Sequence, residues 1–154
     1  MLIAVIVIIS VIVVLTGAMA LVLFLQNQKP QLVLGMVNGK FSEIPNKQNS
    51  VSTETVYKDK LIEPLKLKGT VNESKEAMKK AFVSFGRIEI KQETDTYIYA
   101  VATTEKMKFH DDIEIYFDEK NGKIQYRSAS RAGYGDMGVN RDRYNKIAKA
   151  YEKY

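Results

Sequence analysis

The fold of this chain is set by residues 112–130, which read DIEIYFDEKNGKIQYRSAS. Apolar and polar side chains alternate on both sides of a short loop at Glu119–Gly122, and a period of two is typical of β-strands. Asn121 and Gly122 tolerate the positive φ that tight turns require. The sequence therefore predicts a hairpin of two antiparallel strands, Asp112–Asp118 and Lys123–Ser130.

The position of the loop determines which side chains share a face of this hairpin. A shorter loop at Asn121–Gly122 would shift the register by two residues, which leaves the side chains on the same faces. With a loop over Glu119–Gly122, Glu114 faces Arg127 across the strands. The apolar face, which we expect to join the core, carries Ile113, Ile115, Phe117, Ile124, Tyr126, Ser128 and Ser130. The opposite face, which we expect to be a polar, charge-paired surface, carries Asp112, Glu114, Tyr116, Arg127 and Arg131.

Two more alternating runs precede the hairpin, at Arg87–Glu93 and Tyr97–Thr103. Together the four runs predict an antiparallel meander. A helix is predicted before it, because Thr70 and Glu73 match a capping box and Gly86 supplies a stop. The apolar stripe of that helix consists of Met78, Ala81, Phe82 and Phe85.

A last helix is predicted from about Asn140, with Tyr144, Ile147, Ala148 and Tyr151 on its apolar face. Residues from Gln26 to about Lys60 show no sustained period and are predicted to be linker and irregular chain, followed by a short edge strand around Pro64. The expected fold class is α+β. It comprises an N-terminal transmembrane helix, then a helix, a four-stranded antiparallel meander and a C-terminal helix packed on one face.

The N-terminal run from Leu2 to Leu25 carries no charge and no proline. Seventeen of its 24 residues are Leu, Ile, Val or Phe, which favour insertion into a bilayer. The run is long enough to cross a hydrocarbon core of about 30 Å. Residues 1–25 are therefore predicted to be a membrane anchor, residues 26–40 a linker and residues 41–154 one domain.

A cleaved signal peptide is the alternative to this anchor, since Ala18 and Ala20 resemble a cleavage site. No Lys or Arg precedes the run, however, and cleavage would leave the apolar stretch Leu21–Leu25 as a new N-terminus, which favours an uncleaved single-pass protein. Lysines soon after the run favour a cytoplasmic domain by the positive-inside rule. The side of the membrane is left open.

Composition limits the classes of partner. The 154 residues include 23 Lys and Arg against 18 Asp and Glu, a net charge of +5, but the two signs are interspersed. Such a mixture indicates a solvated surface, and nucleic acid is not an expected partner. There is no cysteine, so disulfides and thiolate metal sites are excluded.

Residues 127–143, RSASRAGYGDMGVNRDR, form the densest polar motif. Together with DDIE at 111–114, this motif closely resembles the signature of the domain-of-unknown-function family fourteen-ninety-nine. Upstream landmarks of that family are similar to Pro45, Asn49, Val51, Ser52, Ile62 and Pro64. The resemblance covers roughly residues 41–152.

The resemblance implies a domain boundary but no activity, because the family is uncharacterised. Its members are bacterial or plastid proteins that are commonly tethered or exported, which opposes the cytoplasmic side that the lysines favour. The family often has a cysteine after the asparagine of its N-terminal motif, where this chain has Ser50. A thiol role is therefore absent here.

Acidic residues around the hairpin suggest a hydrolase-like enzyme in which Asp112, Glu114 and the single histidine, His110, act as acid or base groups, with or without a divalent metal. Strand alternation sends Asp111 and Asp112 to opposite faces and leaves two carboxylates on one face beside two arginines. Ion pairing is therefore favoured over a metal site, and no cofactor is expected.

A Ser-His-Asp set can also be drawn from Ser128 or Ser130 with His110 and Asp111, but neither serine lies in the strained turn that a nucleophile needs. The glycines at 133, 135 and 138 match no phosphate-loop spacing. They are predicted to be turn residues that carry the last strand into the last helix.

The favoured function is binding without catalysis at an arginine-rich turn, because helix N-termini and arginine forks both suit anions. The candidate ligand-binding residues are Arg127, Ser128, Arg131, Asp136, Asn140 and Arg141. The expected partners are the lipid bilayer through residues 2–25 and an anionic ligand, lipid headgroup or membrane protein. In the alternative interpretation, Asp112 and Glu114 with other carboxylates neutralise the arginines internally.

Overall fold

The computed structural model describes residues 1–154 and begins with one long apolar helix. This helix, α1, spans Leu2–Asn27, and none of its residues is buried. It is long and apolar enough to cross a membrane. The hydroxyls of Ser10 and Thr16 donate to carbonyls one turn earlier. The prediction of a single N-terminal apolar helix is confirmed.

The domain that follows is built on antiparallel strands. A small hairpin consists of β1 (Met36–Val37) and β2 (Lys40–Phe41). The main sheet contains β3 (Ser50–Ser52), β4 (Leu65–Lys66), β5 (Ile88–Glu93), β6 (Tyr97–Thr103), β7 (His110–Asp118) and β8 (Lys123–Ser130). The strand order is β3-β8-β7-β6-β5, and β4 also pairs with β8.

The four long strands, β5 to β8, form the predicted meander, and the predicted hairpin register is confirmed. Glu114 pairs with Arg127 across β7 and β8, and the loop between these strands is a 3-10 turn that ends at Gly122 with a positive φ. The prediction of a four-stranded sheet is wrong, because β3 and β4 extend it to six strands. β3 has three residues, too few for a period of two to show, and β4 lies where a short edge strand was predicted around Pro64.

Two helices cover one face of the sheet. They are α2 (Val71–Phe85) and α3 (Val139–Tyr151). The predicted capping box is present, since the Thr70 hydroxyl accepts from the Glu73 amide and the Glu73 carboxylate accepts from the Thr70 amide. The core between helices and sheet includes the predicted side chains Met78, Ala81, Phe82, Ile113, Ile115, Phe117, Ile124, Tyr126, Tyr144, Ile147 and Tyr151.

The opposite face of the sheet is not the exposed polar surface that we expected. Asp112, Glu114 and Arg127 are buried there. Leu32 and Ile44 pack on Ala129 of β8 from outside, so the chain between α1 and β3 lies across this face. Side-chain alternation predicts which residues share this face of the sheet, but it does not predict which part of the chain covers them. The segment between α1 and β3 has no regular period that would have indicated its position.

Residues 26–40, predicted to be a linker, are held against the domain at their start and near their middle. Asn27, the last residue of α1, accepts from the His110 amide at 2.7 Å and donates to the Lys108 carbonyl at 3.0 Å. Gln26 accepts from the Gly133 amide at 3.2 Å. α1 is therefore joined directly to the loops that flank β7 and β8, with no free spacer.

Candidate functional site around the glycine-rich turn

Arg127 and Glu114 form a fully buried ion pair at the centre of the sheet. The guanidinium Nε donates to one carboxylate oxygen of Glu114 at 2.8 Å, and Nη2 donates to the same oxygen. The other oxygen accepts from the Tyr97 hydroxyl at 2.6 Å and from the Gly35 amide at 2.7 Å. The carboxylate is thus supplied with donors from three directions.

The same guanidinium also holds the segment that crosses the sheet. Its Nη1 donates to the Ser42 carbonyl at 2.5 Å, and its Nη2 donates to the Val33 carbonyl at 2.9 Å. The ring of Phe41 lies over the guanidinium, with its centroid 4.9 Å from Cζ. All the polar capacity of Arg127 is therefore used inside the protein.

Arg131 follows β8 and pairs with Asp112. Its Nη2 donates to Asp112 Oδ1 at 2.8 Å, and its Nε donates to the same carboxylate at 3.1 Å. The Tyr99 hydroxyl donates to Asp112 Oδ1 at 2.7 Å and accepts from Arg131 Nη2 at 3.0 Å. Burial lowers the pKa of Arg131, but the hydrogen bond and charge of Asp112 outweigh burial and raise it.

Two tyrosines of β6 are part of these arginine clusters, and their hydroxyls stay protonated well beyond neutrality. Burial, followed by the hydrogen bond to Asp112, raises the pKa of Tyr99 to about 12. Burial and the contact with Glu114 raise the pKa of Tyr97 further. Both hydroxyls therefore act as permanent donors to the carboxylates.

A third ion pair lies on the helix-covered face of the sheet. Asp111 accepts from Nη2 of Arg143 on α3, and both side chains are buried. Nη1 of Arg143 donates to the Asn140 side-chain oxygen at 2.8 Å, and that oxygen accepts from the Ser128 hydroxyl at 2.5 Å. This cluster fixes the start of α3 against β7 and β8.

The glycine-rich turn is closed by Asp136 and Asn140. One oxygen of Asp136 accepts from the Gly138 amide at 2.9 Å, and the other accepts from the Asn140 amide at 2.8 Å. The Asn140 side chain donates to the Asn49 carbonyl at 3.0 Å, which ties the turn to the strand of Ser50–Ser52. The Gly138 and Asn140 amides at the start of α3 are thus bound by the protein's own carboxylate and are not left for an anion.

Arg141 points to a different segment. Its Nη2 donates to the Asp59 carbonyl at 2.7 Å, and its Nη1 donates to the Leu61 carbonyl at 3.2 Å. Of the predicted ligand-binding residues, the structure brings Ser128, Asp136 and Asn140 together. It places Arg127, Arg131 and Arg141 in three separate contacts, each with an internal partner.

The residues of the enzyme alternative are also dispersed. His110 alternates with Asp111, so it lies on the face of the sheet opposite Ser128 and Ser130. Its Nδ1 lies 3.2 Å from the Asn27 carbonyl, at the joint with α1. Asp112 and Glu114 are each neutralised by an arginine. Acid or base chemistry needs a group that reaches a substrate, and these carboxylates are enclosed.

A cavity of about 260 Å³ opens between the glycine-rich turn, the loop before β7 and the end of α1. Its apolar lining includes Leu23 of α1, Phe109, Ala132 and Val139, and its acidic lining consists of Asp111 and Asp136. One oxygen of Asp111 is buried without a hydrogen-bond partner. This cavity adjoins the glycine-rich turn on the side of α1.

The segment from 40 to 151 contains the three buried ion pairs described above. A family model described as "Protein of unknown function (DUF1499)" matches residues 40–151. The chain belongs to this family. No curated protein matches the sequence. In this DUF1499 protein, the polar residues at 127–143 serve largely to join β8, α3 and the upstream segment to one another.

Sequence reasoning missed several members of these clusters in this DUF1499 protein. Tyr97 and Tyr99 lie on the same face of the sheet as Asp112 and Glu114, so the register of β6 with β7 could have indicated these contacts. Arg143 lies three residues after Asn140, on one helix face, which was a signal for their contact. Nothing local to Val33 or Ser42 indicates that their carbonyls bind Arg127.

Proposed function

We propose that this chain is a membrane-tethered, non-catalytic binding domain whose ligand site lies beside the glycine-rich turn, at the bilayer surface. The observation that carries the proposal is the direct joint between α1 and the domain, made by Gln26 and Asn27. At about 1.5 Å per residue a helix of this length is near 39 Å, more than the hydrocarbon core of about 30 Å. The C-terminal turn of α1 would then lie at the headgroup level.

Exposed apolar side chains at the same end of the domain support this placement. Met107 lies in the loop that binds Asn27, and Tyr134 and Met137 lie in the glycine-rich turn that binds Gln26. All three are largely exposed, and Met137 is fully so. Apolar and aromatic side chains are favourable at a membrane–water interface.

Enclosed carboxylates support binding over catalysis. Asp112 and Glu114 are paired with arginines and tyrosines rather than set in an open cleft. A catalytic acid or base must reach the proton that it transfers. The enzyme alternative therefore lacks an accessible carboxylate among the residues that suggested it.

Single cysteines test the membrane placement cleanly, because the chain has none of its own. Met137→Cys and Lys120→Cys carry an environment-sensitive fluorophore in full-length protein reconstituted in vesicles with nitroxide-labelled lipids. Lys120 lies in the β7–β8 turn, and the nine residues of β7 put it about 30 Å from the joint. We expect quenching at residue 137 and little at residue 120. Equal quenching at the two positions would refute the proposed placement.

A second candidate function, capture of an anionic partner, is favoured by a basic groove on the other side of α3. The groove has a volume of about 420 Å³ and is lined by Arg87, Lys146, Lys149 and Lys153 with no carboxylate in its lining. Unlike Arg127 and Arg131, the three lysines make no ion pair in the structure. This groove is a better candidate for the anion that the sequence suggested.

Phosphate titration tests this second candidate. A ligand at a hundredfold excess over its Kd should stabilise the folded protein by roughly 2.7 kcal/mol. We expect Lys149→Glu to abolish the gain in melting temperature, while Arg131→Lys, which changes the turn, leaves the gain in place. A phosphate effect that Arg131→Lys removes and Lys149→Glu does not would return the anion to the arginine-rich turn.

A further inference from the structure

The loop between β6 and β7, residues 104–109, presents an apolar side chain between two lysines. Lys106, Met107 and Lys108 are all exposed, and Met107 keeps 68% of its surface accessible. Lys108 has a φ of +55°, which residues with a side chain rarely adopt, so the fold imposes the shape of the loop. An apolar side chain between two cations suits a surface that is anionic at its boundary and apolar beneath.

α1 holds this loop at the level where the helix leaves the bilayer. The Asn27 side chain donates to the Lys108 carbonyl at 3.0 Å and accepts from the first amide of β7 at 2.7 Å. The apolar run of α1 ends at Leu25, two residues before Asn27. Neighbouring Cα atoms are about 3.8 Å apart, so Lys106 lies within about 8 Å of Lys108. With α1 in a bilayer, the tip of the loop therefore lies among the headgroups.

The lysines at this level are not neutralised by the protein. Lys29, which follows the end of α1 by two residues, is exposed like Lys106 and Lys108. None of the three makes an ion pair. A lysine can bury its aliphatic stem along an apolar surface while its ammonium reaches a polar group nearby. Three positive charges close to the end of α1 are therefore free for an external anion.

The acids at the same end of the domain are already engaged. Glu105, the one acid of the loop, pairs with Arg87 at 3.8 Å. Asp111 binds Arg143, and Asp136 binds amides of the glycine-rich turn. Asp111 and Asp136 line the cavity behind the loop and not its exposed tip. The tip of the loop therefore keeps an excess of positive charge.

We infer that this loop, together with Lys29, binds the headgroups of anionic phospholipids in the leaflet that α1 enters, with Met107 inserted between them. A lysine close to an anionic membrane surface contributes about fivefold in affinity. Choline lipids carry the same phosphate but no net charge, so they offer the lysines much less. An acidic protein would also suit the lysines, but it would not account for an exposed methionine at headgroup depth.

This inference rests on the proposed membrane tether and adds which lipids the domain selects. The chain has no tryptophan, so Met107→Trp gives the full chain a single fluorophore at the loop. The protein is reconstituted in vesicles with equal amounts of phosphatidylglycerol and phosphatidylcholine, and one of the two lipids at a time carries brominated chains, which quench tryptophan on contact.

The quenching gives the preference of the site around residue 107 for one lipid over the other. We expect phosphatidylglycerol to be preferred by at least about fivefold. The preference should fall toward unity in about 1 M salt, where the Debye length is about 3 Å. A preference that salt leaves unchanged would contradict binding by charge.

Paired substitutions assign the preference to the loop. Lys106→Gln with Lys108→Asn removes two charges from its tip, and asparagine tolerates the positive φ of position 108. We expect the preference to fall toward unity. Lys120→Gln with Lys123→Gln removes the same charge from the exposed turn between β7 and β8 and should leave the preference unchanged. All four side chains are exposed, so the circular dichroism of both variants should match that of the parent.

The tether and the lipid preference fail in different ways. Absence of quenching by either brominated lipid would refute the placement at the bilayer surface and the inference with it. Equal quenching by the two lipids would leave the placement standing and overturn the inference. A preference that survives the loop substitutions, or that both pairs of substitutions reduce equally, would show that the loop is not the site.

Discussion

Replacing Arg127 with Met should destabilise the domain strongly. The variant leaves the Glu114 carboxylate buried, with two neutral donors, Tyr97 and Gly35, but without its cation. Removing one partner of a buried ion pair typically costs about 3–5 kcal/mol. The Ser42 carbonyl loses its Arg127 donor as well, and the Val33 carbonyl keeps only the Ser42 hydroxyl, at roughly 1 kcal/mol each. The sum approaches the whole stability of a small domain, about 5–15 kcal/mol.

The assay is urea unfolding of the full chain in detergent, followed by circular dichroism, with Arg87→Met as the matched control. Arg87 pairs with Glu105 at 3.8 Å on the exposed surface, and such pairs contribute at most about 1 kcal/mol. Native-state hydrogen exchange should also show faster exchange at residues 33–42 in the Arg127 variant only. Similar losses of stability for the two variants would refute the assignment of Arg127 as the residue that fastens the crossing segment.

Three further predictions concern the core, the turn and the tyrosines. Ile115→Asp should unfold the domain, whereas Tyr116→Asp, half-buried on the opposite face, should lower the melting temperature much less; equal losses would contradict the assigned faces. Arg131→Lys should lower the unfolding free energy by about 1–2 kcal/mol in urea titrations, because lysine cannot reproduce the two-pronged contact with Asp112; a neutral result would make Arg131 available to a ligand. Burial raises the pKa of Tyr126 to about 12, so the folded state holds this proton more tightly than the unfolded state. The contribution of the protonated hydroxyl to the free energy of unfolding is therefore complete below pH 10 and is lost as the pH rises to 12. Tyr126→Phe should therefore reduce the alkaline loss of stability by on the order of 2 kcal/mol, and an unchanged pH profile would contradict the burial of this hydroxyl.

The sequence predicted well those elements that are long enough for a periodic pattern of apolar side chains to repeat several times. Seven residues of β6 and eight of β8 are enough for alternation to appear, and the fifteen residues of α2 show both a stripe and its capping box. The register of β7 with β8 followed from one short loop. Patterns between residues close in sequence were therefore enough to predict the central sheet and its helices.

The parts that were missed depend on contacts between distant residues. Arg127 binds the Val33 carbonyl 94 residues away, through a backbone atom that every residue type possesses. No property of Val33 or of its neighbours marks it as a partner. For the same reason the burial of Asp112 and Glu114 was not foreseen, because the segment that covers them has no period of its own.

The two faces of the β7–β8 hairpin explain why so many charged residues lie in so small a domain. On one face, Arg127 fastens the segment that arrives from α1, and on the other, Arg143 fastens α3. Each guanidinium spans two structural elements, so its directional bonds add to the apolar packing that also holds α3 on the sheet. Residues committed to such joints cannot also change partners for a ligand without loosening the fold. A binding function must therefore use polar atoms that these joints leave over.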